Sequence, residues 1–517
     1  LSDVAQPRSD SHYLQYAACH LLPIAAESRD ALLDQLQGLQ QRVTGSADLC
    51  AVAQECYETY RQQVDARYTL CLIGKNEKEL LRDIEFAFEG VERAFEKQRA
   101  WQTPRGSYFT PDPLGNEGTV AFVYPGAFNS YPNLGRDLFQ LFPDLHERLA
   151  QRTSDIGSVV GEAALYPRSL APHSKADRRA HEQALMAQPE TLIESGTTYA
   201  MIVTTILRDY FCVQPAAALG YSLGEASMLW AAEVWQNAEA GSRAWRNSPL
   251  FKTRLTGPKQ AVREHWEIDA TVDDGAFWRT YLLKAPVDAI RAYVAEEPRV
   301  YLTMINTPKE GVIAGDPAGC RRVIAALDCH ALPVPYDAVI HAEAMHSEHP
   351  AFVDLYTNPV ARRPDVDFYS TAGYAPLALT SEDLAHDLAD MTCTQVDFPR
   401  LVQRAYDDGA RIFVELGPQR TCTRWIDKIL AGKPHAAMAI NKKGSSDVEE
   451  LFGVLARLLS NGVNLDLSRL YAAEVVEADA VPVERQVETD VIQEAPVPVL
   501  AGMADMVSVE RGAVPPQ

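Results

Sequence analysis

No stretch of this chain approaches the ~18 consecutive apolar residues of a membrane-spanning helix, and no basic-then-apolar leader opens it. No membrane partner is therefore expected. Cysteine is scarce and irregularly spaced: the nine residues at 19, 50, 56, 71, 212, 320, 329, 393 and 422 form no C-x-x-C pair. That pattern argues against a disulfide framework or a zinc site and for reduced thiols in the cytoplasm. Positive charge is short as well. A formal net charge of −22 speaks against nucleic acid or anionic lipid as a partner. An anionic ligand would need a local cationic patch. Arg243, Arg246, Lys252, Arg254, Lys259 and Arg263 could form one, the alternative being a solvated surface run.

What the chain does contain is ordinary for a globular protein, with 47% apolar and 23% charged residues. Its 517 residues suggest about three to four folding units. The opening Leu1-Ser2-Asp3 lacks methionine, so a piece of a longer protein is expected. Residues 1–20 have no clear period. From 21 to 97 the pattern is strand, two helices, strand and helix, with Ser28 as an N-cap before Leu32, Leu36 and Leu39. Residues 98–118 read as a connector rich in proline, glycine and polar residues.

A strand is expected at Thr119–Tyr124, ending in Pro125-Gly126-Ala127-Phe128, and a helix at Arg136–Arg148. Residues 151–190 read as a polar insertion, followed by a helix from Gly196 to Phe211. Between Tyr281 and Pro335 the order becomes βαββαβ, the split arrangement of ferredoxin-like folds. A strand at Val334–Ala338, a buried strand at Ala410–Glu415 and a helix at Val448–Leu459 follow. Beyond about Ala473 the composition is that of a flexible linker.

The chain is organised around Gly220-Tyr221-Ser222-Leu223-Gly224-Glu225. A serine with glycines two residues away on each side, a strand before and a helix after, is the nucleophile-elbow pattern. A serine nucleophile needs a base within hydrogen-bond reach. Three of the twelve histidines, His341, His346 and His349, cluster past the βαββαβ segment. Their mid-chain position fits a plain α/β-hydrolase poorly.

Five segments together resemble the acyltransferase domain of fatty-acid and polyketide synthases, of the malonyl-CoA:acyl-carrier-protein transacylase type. Gly220–Glu225 is similar to the family's GHSxGE, with Tyr221 in place of histidine. Phe122-Val-Tyr-Pro-Gly126 resembles its first-strand motif and departs from it afterwards. Ile305-Asn306-Thr307-Pro308 with Val312-Ile-Ala-Gly315-Asp316, Ala338-Val-Ile340-His341-Ala-Glu-Ala-Met345, and Phe413-Val-Glu-Leu-Gly417-Pro418 match three more. The wording looks nearest the polyunsaturated-fatty-acid-type synthases.

The resemblance implies an α/β fold: a large α/β-hydrolase-like core with an inserted ferredoxin-like subdomain, preceded by a small α/β linker domain. The implied parts are an N-terminal extension (1–20), a ketosynthase-to-acyltransferase linker (21–97) and a large subdomain (118–275 and 336–440). A small subdomain (276–335), a post-acyltransferase segment (441–472) and a flexible linker (473–517) complete the set. It also implies Ser222 as nucleophile, with His341 as base and His346 its rival. Backbone amides of Leu223 and Ala127 would hold the oxyanion. Tyr221, Asn306 and Ile340 would bind substrate, along with Arg246 or Asn247, according to register. No metal or bound cofactor is implied. Coenzyme A thioester, the phosphopantetheine arm of an acyl carrier protein and an adjacent ketosynthase domain are the implied substrate and partners.

Malonyl is the expected acyl group: Arg246, if it faces the serine, can hold its carboxylate bidentately. Asn247 in its place would favour an uncharged acyl group. Glu310, where many relatives carry glutamine, would repel a malonate. Ile340, where malonyl-selective members carry phenylalanine, would crowd an α-branch. Two other readings use the same residues: hydrolytic editing of neutral acyl chains, and an inactive domain that docks a carrier protein.

Overall fold

Three sheets carry the fold, one for each hydrophobic rhythm in the chain. The structure is a computed structural model that describes residues 17–46, 48–152, 165–167, 174–269, 271–273, 277–334 and 338–471. These all belong to one unit, Leu1–Ala473. Most of the expected N-terminal extension, part of the 151–190 insertion and the linker at 473–517 lie outside the described residues.

In the first sheet β1 (His20–Ala26) pairs antiparallel with β2 (Tyr68–Gly74), and every residue of both is buried. Strands buried along their whole length need cover on both faces. The helices Arg29–Val43, Leu49–Arg61 and Glu77–Lys97 supply part of it. Ser28, Asp48 and Asn76 each cap the helix that follows with a side-chain oxygen. Residues 98–118 are more than the expected connector: β3 (Trp101–Gln102) and β4 (Tyr108–Phe109) extend this sheet. Buried Asp83 organises them, accepting hydrogen bonds from Thr103 Oγ1 at 2.8 Å and Ser107 Oγ at 2.6 Å. A polar anchor of this kind leaves no trace in a hydrophobic period.

The second sheet is wholly parallel, ordered β11-β6-β5-β13-β14, from β5 (Thr119–Tyr124), β6 (Ala217–Gly220), β11 (Asp367–Tyr369), β13 (Ala410–Glu415) and β14 (Ala436–Ala439). The expected helix at Arg136–Arg148 is instead two short ones, Arg136–Leu141 and Leu145–Ala150. Pro143 lies in the break, where its missing amide and ring oppose a continuous helix. The 151–190 insertion is not irregular throughout. Ser174 and Asp177 form a capping box for a helix at Lys175–Met186, and Pro189 starts another that runs to Thr205.

The third sheet contains β7 (Arg279–Lys284), β8 (Val300–Thr307), β9 (Glu310–Gly315) and β10 (His330–Pro333). Their order, β10-β7-β9-β8, with antiparallel pairing, is the expected ferredoxin-like βαββαβ subdomain. It has one addition. β12 (Val396–Asp397), from the segment assigned to the large subdomain, pairs parallel to β8. The small subdomain is thus hydrogen-bonded to the core as well as tethered to it.

The segment at 441–472 returns to the start of the chain. Its helix Asp447–Ser460 packs on β1, β2 and β4. Ser460 Oγ accepts from Thr110 N at 2.8 Å, and Asn461 O accepts from Gly115 N at 2.7 Å. The Tyr471 ring stacks on Tyr57 at 4.4 Å.

Candidate active site

Ser222 stands in the turn between β6 and the helix Gly224–Ala231. Its φ is +55°, a left-handed conformation that costs a non-glycine residue roughly 1–2 kcal/mol. Close packing holds it there. A Cβ on Gly220 would lie 2.2 Å from Glu225 N, and one on Gly224 would lie 2.0 Å from Tyr124 O. Only glycine permits β5, β6 and the helix to meet this tightly. Tyr221 N donates to Tyr124 O at 2.9 Å, tying the turn to β5. Beneath it, fully buried Glu225 accepts from Thr371 N at 2.8 Å and Thr371 Oγ1 at 2.6 Å. Burial pushes the Glu225 carboxyl up to about 7.

Nε2 of His341 lies 2.7 Å from Ser222 Oγ. The other ring nitrogen, Nδ1, is 2.9 Å from Met391 O. A carbonyl can only accept, so Nδ1 carries the proton and Nε2 is left bare to accept from the serine hydroxyl. His341 N also donates to Thr392 O at 2.8 Å, and its φ is +57°. Both carbonyls belong to the last turn of the helix Ser381–Cys393, whose negative end favours an imidazolium formed during reaction. Burial draws the His341 pKa down to about 4, so the ring is neutral at ordinary pH. His346 is exposed, and His349 pairs with Asp390 at 2.8 Å. Neither lines the cavities at Ser222. No strand leads directly into His341: 338–340 are irregular, and 335–337 of the expected Val334–Ala338 strand lie outside the described residues.

Two cavities meet at Ser222. One, of about 120 Å³, is walled by Trp245, Phe251, Phe352 and Tyr356, and reaches Ile340 and His341. The other, of about 200 Å³, runs toward the small subdomain past Tyr221, Met304, Asn306 and Trp425. Ala127 and Ile340 line both. Among the described residues, no backbone acceptor takes the amide of Ala127 or Leu223.

Arg246 lines the apolar cavity and Asn247 does not; Asn247 is exposed at the end of its helix. The register therefore puts the arginine at the cavity wall and removes Asn247 from it. Arg246 Nε donates to Glu194 Oε1 at 2.8 Å, and its Nη2 pairs with Oε2. Ser242 Oγ donates to the same carboxylate. Glu194 was not foreseen from the sequence, because nothing in a polar segment 28 residues before the serine marks it as a partner of Arg246.

The cationic patch disperses into local pairings. Arg243 meets Glu239 at 3.4 Å, Arg254 meets Glu264 and Glu348, and Arg263 bonds to main-chain carbonyls. Glu310 does not line either cavity. It sits behind Asn306, accepting from Trp425 Nε1 at 2.8 Å and Asn306 Nδ2 at 3.3 Å, so the expected repulsion of an acyl carboxylate does not arise there. Tyr221 donates its hydroxyl to Asn306 Oδ1 at 2.7 Å, linking the elbow to β8.

Solved structures with this arrangement of sheets give it a name. The chain superposes on the acyltransferase domain from module 8 of the salinomycin polyketide synthase with a TM-score of 0.66 and 17% identity, covering 88% of this chain and 98% of that one. The acyltransferase domain of SpnD, in complex with 2-(pent-4-yn-1-yl)malonyl, gives 0.63 and 17%, covering 86% and 97%. The fold is that of an acyltransferase domain. In sequence, the chain is 27% identical over 505 residues to a polyunsaturated fatty acid synthase polypeptide of Thraustochytrium sp., covering 91% of this chain and 24% of that protein. It is 25% identical over 466 residues to erythronolide synthase EryA3 of Saccharopolyspora erythraea, covering 88% and 13%. The chain thus spans a quarter or less of these relatives. No protein-family model matches it. The resemblance to synthase acyltransferases read from five motifs is borne out, as is the α/β fold with its ferredoxin-like subdomain. Among the described residues, no helix is long and apolar enough to cross a membrane, and no group of three or more metal-ligating side chains gathers.

Proposed function

We propose that the chain transfers an acyl group from a coenzyme A thioester to the thiol of a carrier protein's phosphopantetheine arm, by way of an ester on Ser222. The observation that carries this reading is the 2.7 Å contact between Ser222 Oγ and the bare Nε2 of His341, inside an acyltransferase fold. As Ser222 Oγ attacks the thioester carbonyl, its proton passes to Nε2. The amides of Leu223 and Ala127 receive the oxyanion. The carbon–sulfur bond then breaks, and the departing thiolate takes the proton from His341. In the second half the carrier thiol gives its proton to Nε2, attacks the acyl-serine and releases Ser222 as the alcohol. An adjoining ketosynthase domain would be the neighbour of this chain in its parent protein.

The acyl group is uncharged in this reading. Five aromatic side chains, Phe128 among them, wall the cavity, and the guanidinium there is already engaged by Glu194, whose side chain is only 10% exposed. A malonyl carboxylate that displaced Glu194 would leave that carboxylate only its hydrogen bond from Ser242, a cost of about 1–3 kcal/mol. The malonyl reading keeps one observation in its favour: Arg246 does line the cavity.

Intact-protein mass after brief exposure to butyryl-, octanoyl- and malonyl-coenzyme A tests the proposal. The expected result is an adduct from the neutral thioesters, absent in Ser222→Ala and discharged by an added carrier protein. Loading by malonyl alone would overturn the neutral-acyl reading. Loss of the adduct to water at the same rate with and without carrier would replace transfer by hydrolysis.

A further inference from the structure

Behind the apolar cavity at Ser222 lies a further one of about 60 Å³. The two share Ile193, Glu194, Leu223 and Trp245, so they adjoin along that layer of side chains. Trp245 is the largest member of that layer, half-buried and stacked on Phe251 at 4.1 Å. The far wall is formed by Trp230 and Ala238. Gly241 lets Trp230 sit there, since a Cβ at that position would come within 2.7 Å of the indole ring. Past Trp230 and Ala238 the surroundings change character. Both residues also face a larger and more polar cavity, whose lining includes Arg148, Arg208 and Glu233 beside Leu149 and Met201.

We propose that this second cavity receives the far end of the acyl chain carried on Ser222, with Trp245 and Ala238 setting the chain length accepted. The inference rests on the acyl-serine reading above and adds a subsite to it. An apolar cavity of about 150 Å³ holds benzene, so the first cavity takes about five carbons and the second about two more. Chains of about six to eight carbons fill both; longer ones would push their ends among the arginines.

The test is acyl loading measured by intact mass across butyryl-, hexanoyl-, octanoyl- and dodecanoyl-coenzyme A. Wild type should load octanoyl at least as well as butyryl. Ala238→Phe fills the second cavity and should lower the octanoyl-to-butyryl ratio at least tenfold. Trp245→Ala widens the passage between the cavities and should raise the dodecanoyl-to-octanoyl ratio severalfold. The two variants move the profile in opposite directions, so a folding defect in one does not remove the test. If wild type loads these chains but neither variant changes its ratio by more than twofold, the subsite is wrong while acyl transfer stands. If wild type loads no neutral chain, the neutral-acyl reading fails and takes the subsite with it.

Discussion

Ser222 and His341 meet at 2.7 Å, and both do so with a left-handed backbone, φ +55° and +57°. Neither is glycine, so each conformation is held by its surroundings: β5 and the flanking glycines for the serine, and the last turn of the helix Ser381–Cys393 for the histidine. Such strain persists only where packing over-determines it. The first prediction follows directly. Ser222→Ala should abolish acyl-enzyme formation, and His341→Ala should slow loading by about 10²–10⁴-fold without preventing folding. Stopped-flow loading with mass detection, alongside circular dichroism, checks both.

The pH dependence has a definite sign. The folded pKa of His341 is lowered from 6.5 to about 4, so its basic form prevails above that value. Loading should be level from pH 7 to about 5 and then fall about tenfold per pH unit below 4. The same shift bears on stability. Between about 4 and 6.5 the unfolded chain binds the proton that the folded chain refuses, so this contribution is complete above 6.5 and is lost as pH falls toward 4. A pH profile of loading with no break between 3.5 and 5 would contradict the assignment of His341 as base.

Releasing Arg246 should change substrate preference. In Glu194→Ala the guanidinium loses the carboxylate that holds its Nε and Nη2. Malonyl loading should rise by about 10–100-fold relative to butyryl, the range of a charge-assisted hydrogen-bonded pair. In the double variant Glu194→Ala with Arg246→Ala the gain should disappear. Competition between the two thioesters, read by mass, measures the ratio.

Gly224→Ala introduces one methyl group 2.0 Å from Tyr124 O, against backbone that cannot rotate away. A destabilisation of about 1–3 kcal/mol is expected, visible as a lower Tm. Displacing Ser222 by about 1 Å should also cost about 10²-fold in loading.

Tyr221→Phe removes the hydroxyl that donates to Asn306 Oδ1 from the residue beside the nucleophile. The buried acceptor left behind should cost about 1–3 kcal/mol in stability. Because this bond joins the elbow to β8, the carrier-dependent second step should slow more than the loading step. Separate measurement of the two half-reactions distinguishes them.

Much of this was legible in the residues. The elbow could be read because glycines two residues either side of a serine answer a steric demand that exists wherever β5, β6 and a helix converge. The βαββαβ subdomain could be read because apolar runs and caps such as Asp316 alternate at the right spacing. What orients His341 could not, since Met391 and Thr392 act through main-chain carbonyls that every residue possesses. Glu194 escaped notice for a different reason. Its meaning lies in a partner 52 residues away, and sequence pattern reports neighbours along the chain better than neighbours across a cavity. β3 and β4 are two residues each, too short for a period to emerge.

The return of the helix Asp447–Ser460 to the first sheet bears on how the chain is made. Thr110 and Ser460, joined by a 2.8 Å hydrogen bond, are separated by 350 positions. At typical synthesis rates of about 5–20 residues per second, β2 and β4 emerge from the ribosome roughly 20–70 s before the helix that covers them. During that interval Tyr108, whose ring lies 5.3 Å from the Arg457 guanidinium, and Ile73, beside the Gly106 that meets Gly453, lack that cover. A fragment trimmed to 118–440 would lose both halves of this clasp.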